Sequence, residues 1–161
     1  IKRCLGFEMN VFVYDPFVNK DQIELLGGQK VESIEEAVKS MDVITLHMPL
    51  TDKTKNLVNY NLLKTMKKNC ILINAARGGI IHEDDLYKAL NEDLIFGAAI
   101  DVFEKEPPDD NNPLLKNEKV FLSPHTAAFT EECMTRMGIE TIQNIIDYFD
   151  QKLDKSKIVK L

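Results

Sequence analysis

Apolar and polar residues alternate along this chain in two different rhythms. Segments with the apolar spacing of helices occupy positions 19–28, 33–41, 59–68 and 82–92, and a longer one runs from about Glu131 to Leu153. Between them lie short, nearly continuous apolar runs, as expected of strands buried on both faces. The alternation predicts βαβ units and an α/β fold, a doubly wound parallel sheet with helices on both faces. The five predicted strands are VFVYD (11–15), VITLH (43–47), CILINA (70–75), IFGAAIDV (95–102) and VFLS (120–123).

Several residues mark where the predicted helices begin and end. Ser33 and Glu36 have the spacing of a capping box, and the glycine pair at 27–28 suits the end of the preceding helix. Glu83 and two further acids open the helix that starts near residue 82, where the helix dipole favours negative charge. We expect the last helix to close the domain, and the Pro-, Asp- and Asn-rich segment 104–119 to form its one long loop.

Length and composition narrow the class of protein. A chain of 161 residues predicts a single domain, and 26 acidic against 20 basic residues give a net charge of −6 without a basic stripe, which disfavours a nucleic-acid partner. No apolar run approaches the roughly 20 residues of a membrane span. The three cysteines lie far apart, which disfavours both a disulfide framework and a zinc site, and we predict no metal. We expect a soluble, cytoplasmic protein.

Polar or turn-forming residues follow every predicted strand. Ligands of an open parallel sheet bind outside the carboxyl ends of its strands, so these residues predict a site along that edge. In chain order they are Asp15 with Pro16 after the first strand, His47, Met48 and Pro49 after the second, Arg77 after the third, Asp101 and Glu106 after the fourth, and His125 after the last.

Asp15 and Arg77 each have a functional and an ordinary interpretation. An acid at the end of such a strand can accept hydrogen bonds from a ribose, which favours NAD over NADP, but an aspartate before a proline is also a common turn. Arg77 stands between two alanines and two glycines, so its guanidinium can project over the sheet edge and bind a carboxylate through two parallel hydrogen bonds. The alternative is a surface arginine in a loop, and the small apolar flanks favour the functional interpretation.

His125 and Glu106 are the candidates for proton transfer. An imidazole held by a carboxylate has a raised pKa and can donate a proton near neutral pH. His125 follows a buried strand where it emerges into the predicted cleft, although a lone histidine is more often structural. Glu106 can equally belong to a solvated acidic loop, and sequence spacing does not show that it contacts His125. His82, at a predicted helix start, is interpreted as a cap or a solvated residue.

Five blocks of the sequence, taken together and in this order, resemble the D-isomer-specific 2-hydroxyacid dehydrogenase family: VYDP, LHMPLTDKTKNLVN, INAARGGIIHEDDLYKAL, GAAIDVFEKEPP and LSPHTAA. The resemblance runs from Gly6 to about Tyr148. It implies a Rossmann-like NAD-binding domain and an NAD-dependent, reversible oxidation of a small D-2-hydroxy acid to a 2-keto acid, as in phosphoglycerate, lactate and glyoxylate/hydroxypyruvate members. It also implies a homodimer.

The resemblance assigns roles to the residues at the strand ends. It makes Arg77 the substrate-binding arginine, Glu106 the partner of the catalytic histidine, and His125 the residue that transfers the proton. Asp15 matches the ribose-binding acid. The other positions that it places along the cofactor are Pro16, His47, Met48, Pro49, Ala75, Ala76, Arg77, Asp101, His125, Thr126, Ala127 and Ala128.

Two features of the family have no counterpart in the sequence. The glycine-rich pyrophosphate turn belongs about twenty residues before the ribose-binding acid, whereas fourteen residues precede Asp15. A substrate domain is also absent, and the start, IKRCLGFEMN, has no initiator Met and looks cut. We therefore interpret residues 1–161 as a partial dinucleotide-binding domain, incomplete at its N-terminus, and expect it to be inactive alone. The alternative function is an NAD(H)-responsive binding or corepressor module without significant turnover. Nothing in the sequence identifies the 2-hydroxy acid.

Overall fold

The computed structural model describes residues 1–158, which divide into two compact units, Ile1–Ser123 and a second that begins at Pro124. The helices of the first unit are α1 (Lys2–Leu5), α2 (Lys20–Leu25), α3 (Ile34–Ala37), α4 (Tyr60–Leu63) and α5 (Glu83–Asn91), with a 3-10 helix at Pro113–Lys116. Its strands are β1 (Phe12–Val13), β2 (Gln29–Lys30), β3 (Val43–Leu46), β4 (Ile71–Asn74), β5 (Gly97–Ile100) and β6 (Val120–Leu122). The second unit contains α6 (Glu131–Phe149) and a 3-10 helix at Lys155–Lys157.

The strands of the first unit pair in parallel and form two sheets. Strands β1 and β2 make a two-stranded sheet, and β3, β4, β5 and β6 make a four-stranded sheet in chain order. In the larger sheet the last residues of the first three strands, Leu46, Asn74 and Ile100, are paired in register. Because the strands are parallel, the segments that follow them emerge at the same edge, which is where the sequence predicts the site.

One face of the four-stranded sheet forms the core. Leu72 of β4 and Ile100 of β5 belong to the same buried cluster as Leu63 of α4 and Leu86 of α5. Alternate residues along the strands have the opposite orientation, because successive side chains of a strand point to opposite faces. Ile71 is 36% exposed and Phe121 is 74% exposed, so the expectation that the strands are buried on both faces is wrong for β4 and β6, whereas β5 has buried residues on both faces.

The ends of the helices largely follow the sequence signals. Ser33 caps α3 by accepting a hydrogen bond from the Glu36 backbone N–H at 3.2 Å, whereas the Glu36 carboxylate accepts from Lys39 instead of completing a capping box. A complete capping box forms at α2, between Asn19 and Gln22. Gly27 follows α2 with a φ of +84°, the left-handed conformation that favours glycine at a helix end.

All five predicted strands are present, and the differences from prediction concern short or polar elements. Strand β2 was not predicted because Gln29 and Lys30 are polar and the pairing involves two residues. The predicted helix at 59–68 is confined to α4, and α6 ends at Phe149, four residues before the predicted end, with Gln151 just beyond it at a φ of +58°. None of the side chains of α6 is buried, and its expected role in closing the domain stays a prediction. Among the described residues, the helices all fall short of the length and apolar character that a bilayer crossing requires.

Candidate active site

The turn that carries Arg77 is held from inside by Asn74, the last residue of β4. Asn74 is 2% exposed, and its side chain bridges the turn: Nδ2 donates to the Arg77 carbonyl at 2.9 Å and Oδ1 accepts from the Ala76 N–H at 3.1 Å. The Asn74 carbonyl also accepts from the Asp101 N–H of the neighbouring strand end, at 3.0 Å. A buried amide with these bonds fixes the backbone on both sides of the arginine.

The far side of the turn is tied to the segment after β3. The Asn56 N–H donates to the Gly79 carbonyl at 2.8 Å, and the Val58 N–H donates to the Ile80 carbonyl at 3.1 Å. Gly79 has a φ of +78°, which an L-residue with a side chain adopts only with strain. The chain therefore reverses sharply after Arg77 and leads directly into α5.

The Arg77 side chain is exposed at this edge of the sheet. Its Nη1 donates to the carbonyl of Ala76 at 2.6 Å, so the guanidinium is folded back over its own turn. A guanidinium has five N–H donors in a planar fork, a geometry that matches a carboxylate. The structure thus places an exposed cation on a hydrogen-bonded turn, and its role in binding substrate stays a prediction.

The loop after β5 meets the Arg77 turn directly. A Cβ added at Gly78 would lie 1.8 Å from the carbonyl oxygen of Phe103 and 2.7 Å from the backbone nitrogen of Glu104. Only a glycine permits two backbones to approach this closely. Glu106 belongs to the same loop, and its Oε1 accepts from the Phe103 N–H at 3.0 Å. The structure therefore brings the segments that carry Arg77 and Glu106 into contact, although they are almost thirty residues apart in the sequence.

Asp101 lies directly after β5 and is 5% exposed. Its Oδ1 accepts from the hydroxyl of Ser123, the residue that follows β6, at 2.5 Å. This bond joins the ends of two neighbouring strands. Neither Ser123 nor Asn74 is among the predicted site residues, although each is a polar residue at the end of an apolar strand, which is the signal that could have found it.

The segment after β3 carries the three predicted cofactor residues His47, Met48 and Pro49. The His47 Nε2 lies 3.0 Å from the Thr45 hydroxyl, Met48 packs against the core cluster, and the Pro49 carbonyl accepts from the Thr54 hydroxyl at 2.7 Å. Since β3 and β4 are neighbours, this segment emerges beside Ala75 and Ala76.

Asp15 and Pro16 follow β1 of the two-stranded sheet. The Asp15 Oδ1 accepts from the backbone N–H groups of Phe17 at 2.8 Å and Val18 at 3.2 Å. These bonds make Asp15 a turn residue, which was the ordinary interpretation of it. Its role at a ribose stays a prediction, and the two roles are compatible because a carboxylate has several acceptor sites.

His125 and the three residues after it lie near the start of the second unit, which begins at Pro124. His125 has a φ of +53°, and the Thr126 carbonyl accepts from the Phe129 N–H at 2.8 Å in the turn that leads to α6. Ala127 and Ala128 complete that turn. Because Glu106 belongs to the first unit and His125 to the second, their predicted pairing stays a prediction.

Comparison with known proteins finds that the chain is similar to the NAD-binding domain of dehydrogenases. Residues 1–127 match the family model of the NAD-binding domain of D-isomer specific 2-hydroxyacid dehydrogenases. The D-3-phosphoglycerate dehydrogenase of Methanocaldococcus jannaschii is 46% identical over 145 residues, which are 90% of this chain and 28% of that protein. The glyoxylate reductase of Korarchaeum cryptofilum is 38% identical over 147 residues, 91% of this chain and 44% of that protein.

A solved structure supports the same family relationship. The D-isomer specific 2-hydroxyacid dehydrogenase of Lactobacillus delbrueckii ssp. bulgaricus, in its NAD-complexed form, matches with a TM-score of 0.83 at 28% identity, over 97% of this chain and 50% of that one. The match confirms the predicted Rossmann-like fold, and the family model confirms NAD as the predicted cofactor. The chain spans half the length or less of each of these three proteins.

Proposed function

Because the chain belongs to the D-isomer specific 2-hydroxyacid dehydrogenase family, as its five sequence blocks predict, we propose that the protein carrying it interconverts a D-2-hydroxy acid and the corresponding 2-keto acid. The observation that supports this best is the Arg77 turn. The backbone of this turn is fixed at the end of β4, in contact with the backbone of the loop that holds Glu106, and the Arg77 side chain is exposed. A cation held in this way suits the carboxylate that all 2-hydroxy acids share.

The residues at the strand ends fit NAD. Ala75 is exposed and Ala76 is half-buried, and their small side chains leave space for a ligand beside the end of β4. Asp15 offers a carboxylate that suits ribose hydroxyls and repels a 2′-phosphate. NAD held there would supply the hydride chemistry, as the hydride acceptor for oxidation of the hydroxy acid and, in its reduced form, as the hydride donor for reduction of the keto acid. We propose that the cofactor is held by Asp15, Pro16, His47, Met48, Pro49, Ala75, Ala76, Arg77, Asp101, His125, Thr126, Ala127 and Ala128.

The side chains of the protein supply binding and proton transfer. Arg77 binds the substrate carboxylate and polarises the adjacent carbonyl. During reduction, His125 donates its proton to the carbonyl oxygen as that oxygen becomes a hydroxyl, and during oxidation it takes the proton back. Glu106 orients the imidazole and stabilises its protonated form. The assignment of the last two residues rests on the family motifs.

The test is NADH oxidation by the natural protein that carries this chain, with a panel of 2-keto acids that includes glyoxylate, pyruvate and phosphohydroxypyruvate. We expect turnover with at least one of them. The variant His125→Ala should lower kcat by about 10²–10⁴-fold, the usual contribution of a general acid, with NADH affinity nearly unchanged. His82→Ala is the matched control, since His82 lies at the start of α5, 3.2 Å from Asp85, outside the proposed machinery.

Two results would contradict the proposal in different ways. Wild-type turnover in the His125→Ala protein would remove His125 from the mechanism. Measurable NADH binding without turnover on any keto acid would favour the alternative, an NAD(H)-responsive binding or corepressor module. We also propose a homodimer in the cytoplasm, as the family resemblance implies, and sedimentation equilibrium of the purified protein tests the dimer.

A further inference from the structure

Glu83, the first residue of α5, joins that helix to the loop that holds Glu106. One carboxylate oxygen, Oε1, accepts from the backbone N–H of Glu104 at 2.6 Å, and the other, Oε2, accepts from Nδ2 of Asn112 at 2.7 Å. The helix dipole explains why an acid is favourable at this position. The dipole does not explain why both carboxylate oxygens accept hydrogen bonds from a loop that lies more than twenty residues later in the sequence.

The two bonds hold the loop at both of its ends. Asn112 is itself anchored, because its Oδ1 accepts from the backbone N–H of Leu114 at 3.0 Å and Leu114 is fully buried. At the other end, Glu104 follows Phe103, whose carbonyl lies against Gly78. Glu83 therefore closes a span of nine residues between a buried anchor and the Arg77 turn.

Glu106 lies inside this span and depends on the same backbone. The N–H of Phe103 donates to the Glu106 carboxylate, and the next N–H along the chain, that of Glu104, donates to Glu83. Two consecutive peptide N–H groups are thus directed at two different carboxylates. The two groups flank Phe103, so with the second group fixed only the φ and ψ of Phe103 remain to orient the first.

We propose that Glu83 is a positioning residue for Glu106. It sets the backbone of residues 103 and 104, and through it the carboxylate that orients the catalytic histidine. This inference rests on the proposed dehydrogenase function for the role of Glu106, but the structural link to Glu83 is independent of turnover. The experiment therefore has one readout that needs no activity and one that does.

The first readout is backbone amide exchange followed by NMR in three variants. Glu83→Ala removes both carboxylate oxygens, and we expect the Glu104 amide to exchange about tenfold faster, the loss expected for a bond to a charged acceptor. The Phe103 amide should also exchange faster, because the backbone that directs it at Glu106 is no longer held. Glu83→Gln keeps an acceptor for the Glu104 N–H and should restore most of the protection, which also tests the proposal if the alanine variant folds poorly. Asp84→Asn is the matched control, an exposed acid of the same helical turn, and should exchange as wild type.

The second readout is a double-mutant cycle with Glu106→Gln in the keto-acid assay. If Glu83 acts through Glu106, Glu83→Ala lowers kcat about tenfold, the same loss of a bond to a charged acceptor, with little change in the KM for NADH. In the Glu106→Gln background it has no further effect. Fully additive effects would overturn the proposal, and so would unchanged Phe103 exchange in Glu83→Ala. A wild-type protein without any turnover would overturn the dehydrogenase function alone, and amide exchange would still decide the role of Glu83.

Discussion

The contact between Gly78 and Phe103 can be broken by one methyl group. In Gly78→Ala the new Cβ would lie 1.8 Å from the Phe103 carbonyl oxygen and 2.1 Å from its carbon, where real Cβ contacts are essentially never under 3.0 Å. The nearest atoms are backbone atoms, so a change of rotamer cannot relieve the overlap. The Arg77 turn and the loop after β5 must therefore separate by more than 1 Å.

The cost of this separation can be estimated. Forcing an extra methyl group into a packed site costs about 1–3 kcal/mol, and a backbone clash belongs at the upper end, near 3 kcal/mol. For a unit of this size, each kcal/mol lowers the melting temperature by about 4 °C, so we expect a loss of about 12 °C. A displacement of about 1 Å between the residues that bind and orient a substrate can also lower kcat/KM about a hundredfold.

Thermal unfolding and keto-acid reduction measure the two effects, and Gly79→Ala is the matched control. That substitution puts a side chain at a φ of +78°, which costs about 1–2 kcal/mol, but its Cβ first meets the flexible Leu50 side chain at 3.5 Å. It should leave the contact between Gly78 and Phe103 intact. A Gly78→Ala protein that melts no lower than Gly79→Ala, with full activity, would refute the close approach as the structural link between the two segments.

Three further predictions concern other parts of the fold. Burial raises the pKa of the Cys70 thiol to about 11. In mildly alkaline solution iodoacetamide should therefore label the exposed Cys4 and spare Cys70, which peptide mass spectrometry measures. Equal labelling of the two thiols would contradict the burial of Cys70. The Cβ added by Gly138→Ala on α6 would have no neighbouring atom within 4 Å, so the substitution should stabilise the helix by about 1 kcal/mol. Circular dichroism should show a higher melting temperature, and a lower one would argue against this helix. Asn74→Ala leaves two backbone groups of the Arg77 turn without partners and should lower the urea unfolding free energy by about 2 kcal/mol or more; an unchanged value would mean that the turn is not held from inside.

The apolar pattern was sufficient to locate the strands that build the core. Each predicted run contains an observed strand, because residues such as Leu72 and Ile100 must leave water and their neighbours along the strand are also largely apolar. The same logic missed β2, whose polar residues join a two-stranded sheet through backbone bonds alone. It also overstated burial, since a continuous apolar run does not reveal that Phe121 lies on an exposed face.

The sequence proposes the candidate site as a set of residues and not as an arrangement. Arg77 could be singled out because a cation between alanines and glycines at the end of a strand is unusual, and the family blocks extended this to Glu106 and His125. The contacts that fix the site were not predictable. Glu83 was interpreted as a favourable charge at a helix start, which is correct, yet its two bonds go to a loop that begins about twenty residues later.

The sequence by itself determined the order of the core strands and of the helices between them, the family and the choice of candidate side chains, because periodic burial and short motifs depend on residue types. Tertiary structure decided how Asn74, Gly78 and Glu83 hold the two loops of the site together. Each of these interactions involves a peptide N–H or carbonyl group, and nearly every residue carries both groups. Which of them interact is therefore decided by the segments that the fold brings together.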